Sequence, residues 1–217
     1  MNAYVQGRKT SAHNKIFKII LNRINHVIAR KNIEKNPQLV IFSFDHIGLS
    51  LNLEGRYENS SLLLVEEFIE KKITEARDKV ALDIGANIGN HSIFFAKKFK
   101  KVYSFEPNPV TYEVLKINSN YAAEYKNVIP VNFGLSDIEG SLPFCINPSN
   151  IGGSSIIDEN SPQIKHSTQI NVMTLDEFSE LKDASVALIK IDVEGHELRV
   201  LKGAKTTILR EMPAILF

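Results

Sequence analysis

Apolar and polar positions follow two rhythms along this chain. From Lys15 to about Lys31, Phe17, Ile20, Leu21, Ile24, Val27 and Ile28 recur at helical spacing. Lys15, Lys18, Arg23, Arg30 and Lys31 occupy the rest of that helix. Residues 1–14 read as a polar, frayed start. Leu39–Phe44 and Leu49–Leu53 read as two strands joined by Asp45-His-Ile-Gly48, a hairpin or small β insertion. Asn59-Ser-Ser61 can cap a helix bearing Leu62, Val65, Phe68 and Ile69.

From Val80 onward strands and helices alternate. Val80–Ile84 predicts a strand, and Asn87 to about Lys98 a helix. Val102–Phe105 predicts the next strand, closed by Glu106-Pro-Asn-Pro109. Asn108 suits an N-cap there and Pro109 a first helical position. Val110, Val114, Ile117 and Tyr121 then form an apolar helix face. Val128–Val131 reads as a third strand, and the Gly/Ser/Asn-rich stretch near Asn147–Ser155 as a mobile loop. Asn171–Met173 reads as extended. Thr174-Leu-Asp-Glu177 reads as a capping box opening a short helix with Leu175, Phe178 and Leu181 inward. Val186–Ile191 is strand-like, a helical piece follows through Leu198 and Leu201, and Pro213–Phe217 starts one more strand. Alternation of this kind implies a mostly parallel α/β sheet covered on both faces. Ligands of such sheets bind beyond the carboxyl ends of the strands.

Length and composition narrow the class. A chain of 217 residues buries about 70% of its unfolded surface and needs no staple. We divide it into an extension (1–54) and a main domain (55–217). Net charge is +1, so nothing global points to nucleic acid. Cys145 is the sole cysteine, which suits a reducing cytoplasm. No signal peptide or spanning segment is legible. The basic N-terminal helix could lie on a membrane surface. Packing on the main domain or on another subunit of a homo-oligomer is the preferred reading.

The densest chemistry lies in Val80-Ala-Leu-Asp-Ile-Gly-Ala-Asn-Ile-Gly-Asn-His91. A buried strand ends near Asp83, and Gly85 and Gly89 bracket Asn87. Glycine at 85 lets backbone pass close to a ligand. This pattern holds a nucleoside-bearing cofactor. Asn87 replaces the middle glycine of the dinucleotide pattern, which argues against a nicotinamide-dependent dehydrogenase. An acid at 83 suits an ammonium, directly or through water. Glu106, at the tip of the second strand, can accept both hydroxyls of a ribose. Asp192, Glu194 and His196, delivered to the same edge by the strand before them, can orient an acceptor or take its proton; for His196 alone a structural hydrogen bond is an equal alternative. Their spacing matches no recognised zinc pattern, and no metal is expected. Lys190 and Glu197 read as ion-paired or solvated.

These blocks resemble the FkbM family of S-adenosylmethionine-dependent methyltransferases. The matching stretches are Tyr57-Glu58, Leu82–His91, Phe105-Glu-Pro107, Asn132–Asp137, Thr174-Leu-Asp176 and Ile189–Glu197. They fall in the family's order and cover about residues 55–217. The resemblance implies a Rossmann-like class I methyltransferase fold. It implies a cofactor site at Asp83, Gly85, Asn87, Gly89 and Glu106, with Ser136 and Asp137 near the adenine. It also implies O-methylation of a sugar, glycan or related hydroxylated metabolite. The family sheet usually has two further strands beyond the fifth, whereas this chain stops on what reads as the fifth. A truncated chain is the preferred expectation, over a shortened gene product or an edge completed by another subunit. The remaining rival is a non-catalytic binding protein on a degenerate methyltransferase fold.

Overall fold

Five short apolar runs build one parallel sheet because each can bury both of its faces. The computed structural model describes residues 12–43, 45–124, 126–147, 150–158 and 161–217. The polar start expected over residues 1–14 lies outside them, except for its last three residues, which already belong to the first helix. In chain order the elements are α1 (Ala12–Ile33), α2 (His46–Glu54), α3 (Asn59–Lys72), β1 (Val80–Ile84), α4 (Asn90–Ala96), β2 (Lys101–Phe105), α5 (Pro109–Tyr121) and β3 (Val128–Val131). There follow β4 (Gly134–Leu135), β5 (Gly140–Cys145), β6 (Ser155–Ile156), β7 (Thr168–Met173), β8 (Val186–Ile191), α6 (Glu197–Gly203), α7 (Lys205–Glu211) and β9 (Ala214–Leu216).

The main sheet runs in the order β3-β2-β1-β8-β9, and every neighbouring pair is parallel. Alternate side chains feed separate cores, as strand geometry requires. Val80, Leu82 and Ile84 pack on one face with Phe105, Leu175, Phe178, Leu181, Ile189 and Val200. Ala81 packs on the other with Leu62, Ile69, Phe95, Phe99, Val102 and Leu188. Pro130 fits in β3 because β3 is an edge of this sheet. Strand order reverses between β1 and β8, so the carboxyl ends of those two strands frame the crevice where ligands of such sheets bind.

The expected α/β fold with its mostly parallel sheet is present, but several local expectations are corrected. No strand forms within 39–53 among the described residues. Instead His46–Glu54 is helix α2, which ends at Gly55 in the left-handed region, its N–H bonded to the Leu51 carbonyl. The alternating leucines there mimic a strand, yet leucine is an equally good helix former. The β insertion lies later, where β4, β7, β5 and β6 form a second, small sheet. Pro143 interrupts the apolar alternation of β5 and hides it from a sequence reading.

Helix α4 starts at Asn90 rather than Asn87, because Asn87 (φ 50°) and Gly89 (φ 93°) hold a left-handed turn before it. Helix α5 turns a different face inward. Val110, Ile117 and Tyr121 are exposed, while Thr111, Leu115, Asn118 and Ser119 are buried. Asn118 and Ser119 of that polar inner face are hydrogen-bonded, Ser119 donating to the Leu115 carbonyl at 2.7 Å. Asn118 accepts the Val40 N–H at 2.7 Å and donates to the carbonyls of Val40 and Ile88. The same bonds pin the extension to the main domain. The capping of α5 is as predicted, with Asn108 Oδ1 accepting from the Val110 N–H at 3.1 Å. Phe68 of α3 is exposed, whereas Leu62 and Ile69 are buried.

Candidate functional site

A cleft opens beyond the carboxyl ends of β1, β2 and β8. Its space measures about 1090 Å³, solvent at the open mouth included. Its floor is the turn Gly85–Ile88, with Glu106 and Pro107 on one side and Lys190, Asp192, Val193 and Glu194 on the other. His46, Ile47 and Tyr57, and Asn150, Ile151, Gly152 and Ser154 just before β6, also line it. The Asn147–Ser155 stretch, expected to be a mobile loop, contains a short turn of 3₁₀ helix over Ile151–Gly153 that forms part of this wall.

The glycine turn is a backbone-to-backbone fit. Gly85 has φ 77°, and a Cβ on it would stand 1.9 Å from the Asp192 carbonyl oxygen. The N–H groups of Gly85 and Ala86 both donate to the Phe105 carbonyl at 3.0 Å. Thus β1, β2 and β8 are locked together where the cleft begins. Asn87 tolerates its left-handed φ as few other side chains do, and its Oδ1 accepts the Ile88 N–H at 2.7 Å.

Glu106 is buried, and each of its carboxylate oxygens accepts one backbone N–H, from Asn87 and from Asn108, both at 2.9 Å. Each oxygen retains acceptor capacity. Burial pushes its carboxyl up to about 7, against the pull of the two N–H donors. Thr111 Oγ1, in the same wall, is a buried hydroxyl with no hydrogen-bond partner among the described residues.

Asp83 takes a supporting position. It is fully buried, and its Oδ2 accepts the Ser92 hydroxyl at 2.6 Å; Ser92 in turn accepts from Ser104. Its Oδ1 lies 3.3 Å from Lys190 Nζ. Lys190 also reaches the Gly85 carbonyl at 3.2 Å and Asp192 Oδ2 at 3.4 Å. Burial pulls the Lys190 ammonium down, but the two carboxylates outweigh burial and hold it above its ordinary value. Asp83 is therefore one layer behind the cleft wall, and Lys190 stands between it and the open space. Lys190 was legible as ion-paired; its place in the cleft wall was not. A lysine inside an apolar strand run was the available signal.

On the opposite wall, the Tyr57 hydroxyl is pushed up by burial and by Glu58 and Asp192. His91 Nε2 lies 3.3 Å from Glu58 Oε2, and that hydrogen bond holds the Glu58 carboxyl below the usual range. Asn90 pins the Tyr57 backbone with both its amide and its carbonyl oxygen.

Comparison with known proteins follows this geometry. The model of the methyltransferase FkbM domain matches residues 83–217. The chain belongs to the FkbM methyltransferase family. It is 35% identical over 167 residues to hexuronic acid methyltransferase AglP of Haloferax volcanii, a match covering 76% of this chain and 63% of that protein. It is 30% identical over 179 residues to methyltransferase 1 of Beauveria bassiana, covering 68% of this chain and 70% of that one. The chain thus spans under two thirds of the first relative. A crystal structure of an FkbM methyltransferase from Methylobacillus flagellatus KT matches at 18% identity and a TM-score of 0.48, over 77% of this chain and 40% of that one.

Within this FkbM chain, the predicted residues separate into two groups. Gly85, Asn87, Glu106, Asp192 and Glu194 meet in the cleft wall, with Asp83 and Gly89 supporting it from behind. Ser136, Asp137 and His196 do not line the cleft; the neighbouring Gly134 and Leu135 do. Ser136 Oγ and His196 Nε2 are 2.9 Å apart and buried, and Asp137 pairs with Arg199 at 3.2 Å. The physical reason is backbone packing. The Ser136 N–H is bonded to the Met173 carbonyl, and its own carbonyl lies 1.9 Å from where a Cβ on Gly203 would be. Clamped on both sides, Ser136 faces α6 rather than the cleft. Burial lowers the His196 pKa, with Arg199 adding to that effect, so its ring is neutral near pH 7 and its bond to Ser136 is a neutral one.

Proposed function

We propose that this chain holds S-adenosylmethionine and transfers its methyl group to a hydroxyl of a sugar or related hydroxylated metabolite. The observation that carries this reading is Glu106: a buried carboxylate at the tip of β2, facing the cleft, with acceptor capacity to spare. A ribose presents two adjacent hydroxyl donors, which is the ligand chemistry such a carboxylate lacks. Gly85 supports the fit, because any side chain there would collide with the Asp192 carbonyl and close the floor. The unpartnered Thr111 hydroxyl offers a further polar contact.

S-adenosylmethionine, when bound, supplies a methyl group already activated on a sulfonium. The chain's own groups supply alignment, exclusion of water and proton handling. Glu106 would hold the ribose hydroxyls. Asp83 and Lys190 would set the charge behind the floor, where one buried cation is balanced by two carboxylates. Asp192 and Glu194 line the cleft and are solvent-exposed, so either can accept the proton that an acceptor hydroxyl loses as its oxygen gains the methyl group. His196, bonded to Ser136 outside the wall, would position the segment rather than take that proton.

The relationship to a hexuronic acid methyltransferase supports a uronic-acid-bearing glycan as the first acceptor class to test. Titration calorimetry with S-adenosylmethionine and with NAD, followed by methyl-transfer assays on glucuronosides, tests the whole reading. Binding of S-adenosylmethionine with methyl incorporation into a glucuronoside is expected. Binding of NAD alone would overturn the cofactor assignment, and cofactor binding without turnover on any hydroxylated glycan would favour a binding protein.

A further inference from the structure

Helix α1 carries a pattern that the cleft does not use. At 100° per residue, Ile16, Phe17, Ile20, Leu21, Ile24, Val27 and Ile28 share one arc of about 140°. Lys15, Lys18, Arg23 and Arg30 lie outside that arc, as does Ile19, while Lys31 at the helix end falls within it. No Asp or Glu occurs in Ala12–Ile33, and none of the five basic residues has an ion-pair partner among the described residues. The sequence reading preferred this helix packed against protein. The structure instead leaves its apolar arc open: Phe17 is 67% exposed, Val27 63%, Ile20 52% and Ile24 51%. Among the described residues its hydrogen-bonded anchor is at the C-terminal end, where Asn32 Nδ2 reaches the carbonyls of Asn52 and Leu53 at the end of α2.

We propose that α1 docks on an anionic lipid surface, with its apolar arc in the headgroup boundary and its basic side chains among the phosphates. Charge complementarity selects this occupant. A purely apolar seam would suit a second copy of the chain, but two such helices would bring ten like charges together with no acid between them. A nucleic acid would use the basic residues and leave the apolar arc wet. An anionic lipid surface satisfies both arcs at once. No helix among the described residues is long and apolar enough to cross a membrane, so α1 would lie along the surface. Because α1 is fixed to α2, and His46 and Ile47 of α2 wall the cleft, docking would hold the cleft close to acceptors presented at that surface.

Flotation of the full chain with phosphatidylcholine vesicles, with and without one third phosphatidylglycerol, tests the proposal. Retention on the anionic vesicles should exceed that on pure phosphatidylcholine by about tenfold or more and fall in high salt. The double variant I20E/I24E should lose most of this retention. Both positions are exposed, so its circular dichroism and melting temperature should match the parent. The charge variant R23E/R30E should weaken binding to anionic vesicles by about tenfold. Equal retention on neutral and anionic vesicles, or unchanged retention of I20E/I24E, overturns the proposal. So does a dimer seen by light scattering that I20E/I24E dissolves, because it gives the arc to a second copy. Binding to duplex DNA that only R23E/R30E abolishes, without vesicle retention, overturns it as well. S-adenosylmethionine affinity, measured on the same variants, should not change, which keeps this result separate from the cofactor reading.

Discussion

The Asp192 carbonyl oxygen occupies the space that a side chain on Gly85 would need, 1.9 Å from the ideal Cβ position. The turn after β1 and the tip of β8 are therefore one fitted unit, and the cleft floor depends on it. Gly85→Ala should lower stability by about 2 kcal/mol or more, from the left-handed φ and the collision together. S-adenosylmethionine affinity should fall with it. Gly195→Ala is the control, because Gly195 also has a positive φ but nothing lies within 4 Å of its Cβ position. That variant should show only the conformational cost, about 1 kcal/mol. Equal losses in urea melts of the two variants would remove the fitted-floor argument.

On the proposed reading, Glu106 should make S-adenosylmethionine binding pH-dependent. Its carboxyl is raised to about 7 by burial, and only the ionised form can accept both ribose hydroxyls. Affinity should therefore increase about tenfold from pH 6 to pH 8 and level off above, with proton release on binding near pH 7. Calorimetry in buffers of different ionisation enthalpy reads the released proton directly. Glu106→Gln should weaken binding and flatten the profile. The same shift sets a stability trend for the unliganded protein. A carboxyl whose folded pKa is raised favours folding less as pH climbs from its unfolded value toward 7, a cost of about 3 kcal/mol.

Lys190 and Asp83 form a buried pair whose halves are not separately removable. Lys190→Met should leave the Asp83 carboxylate uncompensated and cost about 3–5 kcal/mol. Adding Asp83→Asn should restore most of that loss, as a double-mutant cycle in urea would show. The raised Lys190 pKa fixes the alkaline behaviour. The pair's contribution is present below the ordinary lysine value and should be lost as pH rises through the higher folded value.

Asp192 and His196 should behave differently despite lying four positions apart. Asp192→Asn should cut kcat by about 100-fold or more if it takes the acceptor proton, with little change in melting temperature. Glu194→Gln is the companion variant that ranks the two carboxylates. His196→Ala should remove the shorter of the two Ser136 hydroxyl bonds, leaving the one to Asp137 Oδ1 at 3.3 Å, and cost about 1 kcal/mol of stability, with kcat nearly retained. A His196 variant that melts normally but loses turnover would return His196 to the reacting centre.

Much of the candidate site was legible because it is local. Asp83, Gly85, Asn87 and Gly89 fall in one strand and turn, and Glu106 directly follows the next strand. Short continuous apolar runs and the Asn108-Pro109 cap mark those elements without reference to anything distant. The errors have equally specific causes. Leu49, Leu51 and Leu53 satisfy a strand pattern and a helix propensity alike. The inner face of α5 is polar, so hydrophobic spacing pointed to the wrong side. Ser136 follows a strand, as tip residues do, but its orientation is set by Gly203, far along the chain.

The amino-acid order settled where the main-sheet strands fall and which acids stand at strand ends. These depend on runs of apolar side chains and on ring closure, both short-range. Folding settled which of those acids faces open space. Asp83 recedes because Lys190, delivered by a strand that enters the sheet much later, neutralises it from the adjacent position. His196 recedes because Ser136 meets it across α6. The exposure of the α1 apolar arc was likewise undecided by its spacing, since amphipathicity states that a face must be covered but not by what. Pairings between groups so far apart carry no local period, and only the closed sheet brings them within bonding distance.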